Sequence, residues 1–249
     1  MKILIDTNIF LDFYRSNRTP VNVFATLLEN IDKVILTDQI IQEFDRSREK
    51  VIKLMQQNFQ SESSLDNFSS SYLKNLGVFK ELIELQKQYR AKQKEVVLAI
   101  DQILKDPSQD EIATYFKEFV NLSLENATVY YTTDEIIAKA EKRKKVGNPP
   151  TSDKYSVGDE INWEIVLENI REDIILVGRD NTYTNNLSFL QKDFHRATGF
   201  IISDLTESIT EALQKAGVNT NEDTVEEETK SIEEIKHYNK YWKRNIEEA

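Results

Sequence analysis

Four short runs of apolar, mostly β-branched residues constrain this chain most: Lys2–Ile5 (KILI), Val34–Leu36 (VIL), Ile174–Val177 (IILV) and Phe200–Ile202 (FII). None of them alternates apolar with polar residues. Short unalternated runs suit strands buried on both faces, as in a parallel sheet covered by helices. Helical patterns fill the intervals, from Asp38 to Phe59, from Ile161 to Ile170, and from Leu205 to Ala216, where Gly217 supplies a stop. Strands alternating with helices predict an α/β fold: a central parallel sheet in a three-layer α/β/α sandwich.

The stretch from Val51 to Arg143 carries no strand pattern. It reads as helices over Val51–Phe59, Phe79–Leu104, Gln109–Leu122 and Asp134–Lys145, interrupted by the polar, serine-rich loop Ser61–Ser71. The expected organisation is one domain over residues 1–218 with a helical insertion at about 51–145, followed by a separate tail over 219–249. That tail begins as an acidic linker and ends in an amphipathic helix, Ile232–Ile246. The opening apolar run is broken at Asp6, too early for a signal peptide and far short of the about 18 residues that span a membrane. A cytoplasmic protein is the expectation.

Carboxylates recur where these strands and helices meet. Asp6 follows KILI directly, at the strand's carboxyl end, where sites form in open α/β sheets. Thr7 and Asn8 add a hydroxyl and an amide to the same turn. After the second strand, Asp38 is placed to cap the next helix, and Glu43 lies about one turn in, on the border of the face formed by Ile40, Ile41 and Phe44. Asp159, Trp163, Val166 and Ile170 share one helical stripe, which puts Asp159 at the amino-terminal end of a buried face. Asp180 stands three residues beyond IILV. Each acid alone has an ordinary reading as a cap, a turn residue or a solvated side chain. Together they place four carboxylates at one rim of one sheet.

Two carboxylates about 4 Å apart repel by roughly 4 kcal/mol at an effective dielectric near 20. A divalent cation removes that conflict. The chain has no cysteine and only His195 and His237, so such an ion must be held by oxygen, which suits Mg²⁺ or Mn²⁺. These ions neutralise the charge that builds up when water attacks a phosphodiester in line. A net charge of −11 argues against a nucleic-acid partner, but the charge is segregated. Acids crowd the tail from Glu222, while cations bunch at Arg46, Arg48 and Lys50 and again at Lys139, Lys142, Arg143, Lys144 and Lys145. An acidic terminal helix is ordinarily a solvated one; the other uses open to it are covering a basic groove, mimicking nucleic acid or engaging a protein partner.

IDTNIFLD, ILTDQIIQEFDR and IILVGRD, in that order, resemble the motifs of the PIN-domain nucleases. AEKRKKVGNPPTSDKYSVGDEINWEIVL is similar to a segment of the longer bacterial branch, in which an Arg, a Pro-Pro pair and an Asp precede a Gly-Asp helix bearing Trp. The resemblance implies a metal-dependent phosphodiesterase, an endonuclease or ribonuclease, acting on RNA more than on DNA with single-stranded DNA also open to it, and with Asp6, Glu43, Asp159 and Asp180 as catalytic metal ligands. It implies supporting roles for Asn8 and Asp153, and phosphate contacts from Arg46, Arg143 and Lys154. Asp134, at the start of TTDEIIAKA, imitates the third acid of the short toxin-type proteins; Asp159 is preferred because its helix leads into IILV. Similar proteins are commonly homodimers. The alternative reading is a catalytically weak RNA- or protein-binding module of a bacterial defence or toxin system. An aspartate-nucleophile phosphatase fits less well, because the position two residues after Asp6 is Asn8 and not a second acid.

Overall fold

The computed structural model describes residues 1–16, 21–60, 75–151, 156–179 and 181–247. The expected loop 61–71 and the candidate residues Asp153, Lys154 and Asp180 lie outside them. Five parallel strands form the sheet, in the order β3-β2-β1-β4-β5. They are β1 (Lys2–Ile5), β2 (Val34–Thr37), β3 (Val129–Tyr130), β4 (Ile174–Val177) and β5 (Ile202–Thr206). β1 is central, paired with β2 through Ile3↔Val34 and with β4 through Leu4↔Leu176. Every residue of β2 and β4 is buried, as the unalternated runs require.

Two strands differ from expectation. β5 covers Ile202–Thr206 rather than 200–202, so the following helix starts at Ile209 and not at Leu205. Its sequence, ISDLT, has only its two end residues buried, so it gives no apolar run to read. β3 is two residues long within a stretch expected to hold no strand, and it closes the far edge by pairing Leu36↔Val129.

Eleven α-helices among the described residues fill the connections. In chain order they are α1 (Thr7–Asp12), α2 (Val21–Glu29), α3 (Asp38–Gln60), α4 (Gly77–Lys105) and α5 (Glu111–Glu125). Then come α6 (Asp134–Lys145), α7 (Gly158–Asn169), α8 (Asn181–Thr184), α9 (Leu187–Thr198), α10 (Ile209–Lys215) and α11 (Glu222–Glu247). α2, α10 and α11 pack together as one group; α6, α7 and α9 form another. Gly217, with φ of 86°, occupies the left-handed conformation that ends α10.

The chain divides into two compact units, residues 1–47 with 112–249, and residues 48–111. The first holds the whole sheet and an aromatic core of Phe10, Phe24, Phe44, Phe116 and Phe119, each at most 3% exposed. Phe44 and Phe116 stack with ring centroids 3.8 Å apart. Fully burying one such side chain contributes roughly 1.5–3 kcal/mol. The helical insertion is thus shorter than expected, because α5 and α6 belong with the sheet. In the second unit, Arg48 and Asp110 form a buried pair at 2.6 Å, and Gln56 reaches Val97 O and Asp101. Arg48 therefore belongs to a buried ion pair rather than to an open basic surface.

The tail also differs from expectation. α11 starts at Glu222, ten residues before Ile232, and its first turns are docked. Thr224, Glu228, Ser231 and Ile235 are all buried. Glu228 accepts hydrogen bonds from the backbone N–H groups of Ile209 and Thr210 and from the hydroxyls of Ser208 and Thr210. These are first-turn amides of α10 that no intrahelical carbonyl can satisfy.

Candidate functional site

The ladder holds Asp6 at the carboxyl edge of the sheet. Its N–H donates to Val177 O at 2.9 Å, and next to it Gly178 N–H donates to Thr206 O at 2.9 Å. The chain leaves β1 extended at Asp6 (φ −66°, ψ 143°) and enters α1, but the Asp6 side chain makes no capping bond to that helix. It accepts from Asn8 Nδ2 at 3.2 Å instead, and the residue is 9% exposed.

The second motif meets the first through Thr7. Buried Thr7 donates its hydroxyl to Glu43 Oε2 at 3.2 Å. Among the described residues Glu43 forms no ion pair. The start of α3 is capped by Thr37, whose Oγ1 accepts from Ile40 N–H at 3.0 Å. Asp38, expected as the cap, instead accepts from the backbone and hydroxyl of Thr132, just past β3.

The third motif closes on the second at Gly158. A Cβ there would lie 2.7 Å from Gln39 Nε2 and 4.0 Å from Glu43 Oε2, so the glycine lets the start of α7 approach the Glu43 carboxylate. Asp159 is in the first turn of α7, half-buried, one residue beyond that contact. Trp163, Val166 and Ile170 are buried, as their stripe requires. The thread returns to Asp6 through Gly178, where a Cβ would sit 3.6 Å from Asp6 Cβ. Asp180 lies two residues further along the chain.

The remaining candidates separate. Arg46 is exposed on α3, three residues beyond Glu43, and Asp134 is exposed in the first turn of α6. Arg143 does not stand open to a substrate. Its Nε donates to Glu164 Oε1 at 2.6 Å, and its Nη1 to Pro149 O at 2.8 Å and to Asp193 Oδ2 at 2.9 Å. Trp163 Nε1 donates to the same Asp193 oxygen at 3.1 Å. The guanidinium of Arg143 thus clamps the Pro-Pro turn, α7 and α9 together, with its side chain 9% exposed. Three lysines of that run are paired too, Lys139 with Glu135 and Glu168, Lys144 with Glu160, and Lys145 with Glu141.

Three charged residues close to this edge escaped the sequence reading. Asp12, 4% exposed, accepts from Arg15 at 2.6 Å and from Arg179 at 2.5 Å. Arg179 directly precedes Asp180, so this contact ties the motif of Asp6 to that of Asp180; Asp12 closes IDTNIFLD and was visible there. Glu160, 1% exposed, has an Oε1 with no hydrogen-bond partner, and Lys144 Nζ lies 3.4 Å from it. Its position beside Asp159 was the only signal.

Chemically, the edge offers carboxylate oxygens and neutral donors and no sulfur or imidazole, which fits a hard divalent cation. Among the described residues no three His, Asp or Glu side chains form a complete cage for one. A family model described as a PIN domain matches residues 3–183, while no curated protein and no solved structure matches the chain. The match covers more than half of the sequence, so the chain belongs to the PIN-domain family.

Proposed function

We propose, from its membership of this family of nucleases, that the protein is a metal-dependent nuclease that hydrolyses phosphodiester bonds in RNA in preference to DNA. The observation that carries the reading is the series of contacts along one sheet edge. Thr7 reaches Glu43, Gly158 abuts Glu43, and Gly178 abuts Asp6. Asp6 and Glu43 thereby stand at one edge, with the start of the Asp159 helix and the end of β4 beside them, which supports the reading.

In this reading Asp6, Glu43, Asp159 and Asp180 hold Mg²⁺ or Mn²⁺. The bound ion supplies Lewis acidity and offsets the negative charge that grows on the phosphate. The protein's own groups do the positioning. Asn8 fixes one oxygen of Asp6, and Thr7 fixes one oxygen of Glu43. Both donors are neutral. Arg46 and Lys154 serve as phosphate contacts; Arg143 acts indirectly, by holding α7 and with it Asp159.

The test incubates the protein with labelled RNA, single-stranded DNA and a generic phosphomonoester, each with Mg²⁺ or Mn²⁺. RNA cleavage that needs the metal is expected. Asp6→Asn should abolish it, lowering kcat/KM by about a thousandfold or more, the several kcal/mol that a metal contributes to such a transition state. Metal-dependent cleavage retained in folded Asp6→Asn protein would overturn the mechanism.

A further inference from the structure

A cleft of about 500 Å³ opens at the same sheet edge, with Gly178 in its lining. Its other walls come from Thr184, the turn after β5, and one face of α11: Thr229, Ile232, Glu233 and Lys236. Apart from Gly178, every lining residue lies beyond residue 183, where the family match ends. The cleft is therefore built by parts of this chain that the shared domain does not include. Gly178 also abuts Asp6, so the cleft adjoins the proposed centre.

Its volume falls within the range of small-molecule pockets, about 300–1,000 Å³. Its chemistry is one-sided. Glu207, Glu211 and Glu233 line it, and carboxylates only accept. Three lining hydroxyls already donate their single hydrogen within the protein: Thr206 to Glu211, Ser208 to Glu228 at 2.6 Å, and Thr229 to Val225 O at 2.8 Å. What they have left to offer is lone pairs. Lys236 is the one cation among the lining residues, and it pairs with Glu207 at 3.0 Å; Arg179 lies 3.4 Å from the same carboxylate, and Lys215 pairs with Glu211 at 2.6 Å. Leu205 and Ile232 add apolar surface. Such a lining gives a phosphate no unpaired cation and offers acceptors to a neutral group rich in donors.

We infer that this cleft is a nucleoside subsite beside the scissile phosphate, which takes a ribose and base and selects RNA by accepting a hydrogen bond from the 2′-hydroxyl. The assignment rests on the nuclease reading above. A ribose differs from a deoxyribose by one donor, and a field of acceptors is suited to detect it. The C-terminal helix is then a specificity element.

Binding tests it without relying on turnover. RNA and DNA 12-mers of one sequence are titrated, without divalent metal, against the wild-type chain and Thr229→Trp, which fills the cleft from an exposed helix position. Glu233→Gln serves as a second, smaller change, with far-UV circular dichroism to check folding. RNA is expected to bind about tenfold tighter than DNA to the wild type, the worth of one hydrogen bond. The preference should fall to within about twofold in Thr229→Trp and weaken in Glu233→Gln. Equal affinity for both oligonucleotides in the wild type, or an unchanged preference in folded Thr229→Trp, overturns the subsite. RNA preference lost in the filled variant but with no metal-dependent cleavage would overturn the nuclease reading and keep the subsite.

Discussion

Two groups of carboxylates in the sheet-bearing unit make an instructive contrast. At the Arg143 clamp, Glu164 and Asp193 are buried and share its guanidinium at 2.6 to 2.9 Å, and Asp193 also pairs with Arg196 at 2.7 Å. At the rim, the donors seen on Asp6 and Glu43 are an amide and a hydroxyl. The clamp is neutralised by the protein itself and has nothing left to bind. At the rim, Thr7 orients Glu43 and no ion pair among the described residues neutralises it, which leaves Glu43 a charge to offer a cation from solution. Charge that is oriented but not neutralised distinguishes a site from a brace, and residue type alone does not.

The largest expected effect breaks the clamp. Arg143→Ala leaves buried Glu164 without its cation and Asp193 with Arg196 alone, and should destabilise the fold by about 3–5 kcal/mol in urea or guanidinium unfolding. A loss below about 1 kcal/mol would mean that the clamp is not structural and would return Arg143 to the substrate side.

At the rim, the same kind of change should behave in the opposite way. Glu43→Gln removes a charge that no described cation balances, so the metal-free protein should hold its stability within about 1 kcal/mol. Its response to metal should be lost. At ten times its Kd, a bound ion adds about 1.4 kcal/mol, roughly 3–5 °C in Tm for a chain of this size. The wild type should show that rise with Mg²⁺ or Mn²⁺ in a thermal scan, and Glu43→Gln should not. Equal rises in both proteins would place the cation elsewhere.

The smallest effect comes from an exposed analogue of the clamp. Hydrogen bonds from Lys215 hold Asp204 and Glu211 below the ordinary carboxylate range; Thr206 also contributes for Glu211. A depressed folded-state pKa gives stability that is present above the unfolded value and is lost as pH falls through the folded one. Lys215→Met should thus cost less than about 1 kcal/mol at neutral pH, given the solvent screening of these exposed groups. The difference should vanish in acid below the folded values. A difference that persisted there would assign the effect to packing of the Lys215 stem.

Where Asp6 and Asp159 stand in the fold was legible in the sequence because each sits next to an unmistakable strand or helix start. Asp6 follows KILI, and Gly158-Asp159 opens the helix marked by Trp163. Partners were not legible. Arg143 reads as one cation in a basic run, and the acids that claim it are 21 and 50 positions away, at Glu164 and Asp193. β3 was invisible for a related reason. Two residues, Val129 and Tyr130, carry no period, and only the neighbouring β2 makes them a strand. The capping of α3 by Thr37 rather than Asp38 turns on which side chain the distant Thr132 recruits.

Glu228 shows how far the folding unit extends past the shared domain. One buried carboxylate in an acidic run closes four donors at the start of α10, and α10 packs on β1 and β4. A truncation that removed this carboxylate would leave the Ile209 and Thr210 amides without their acceptor, at about 1–3 kcal/mol for a buried donor. Undocking of α11 and fraying of the strand edge that carries Asp6 are then coupled events. A protease that nicks the chain between α10 and α11 would act as an off-switch from a position outside the chemistry.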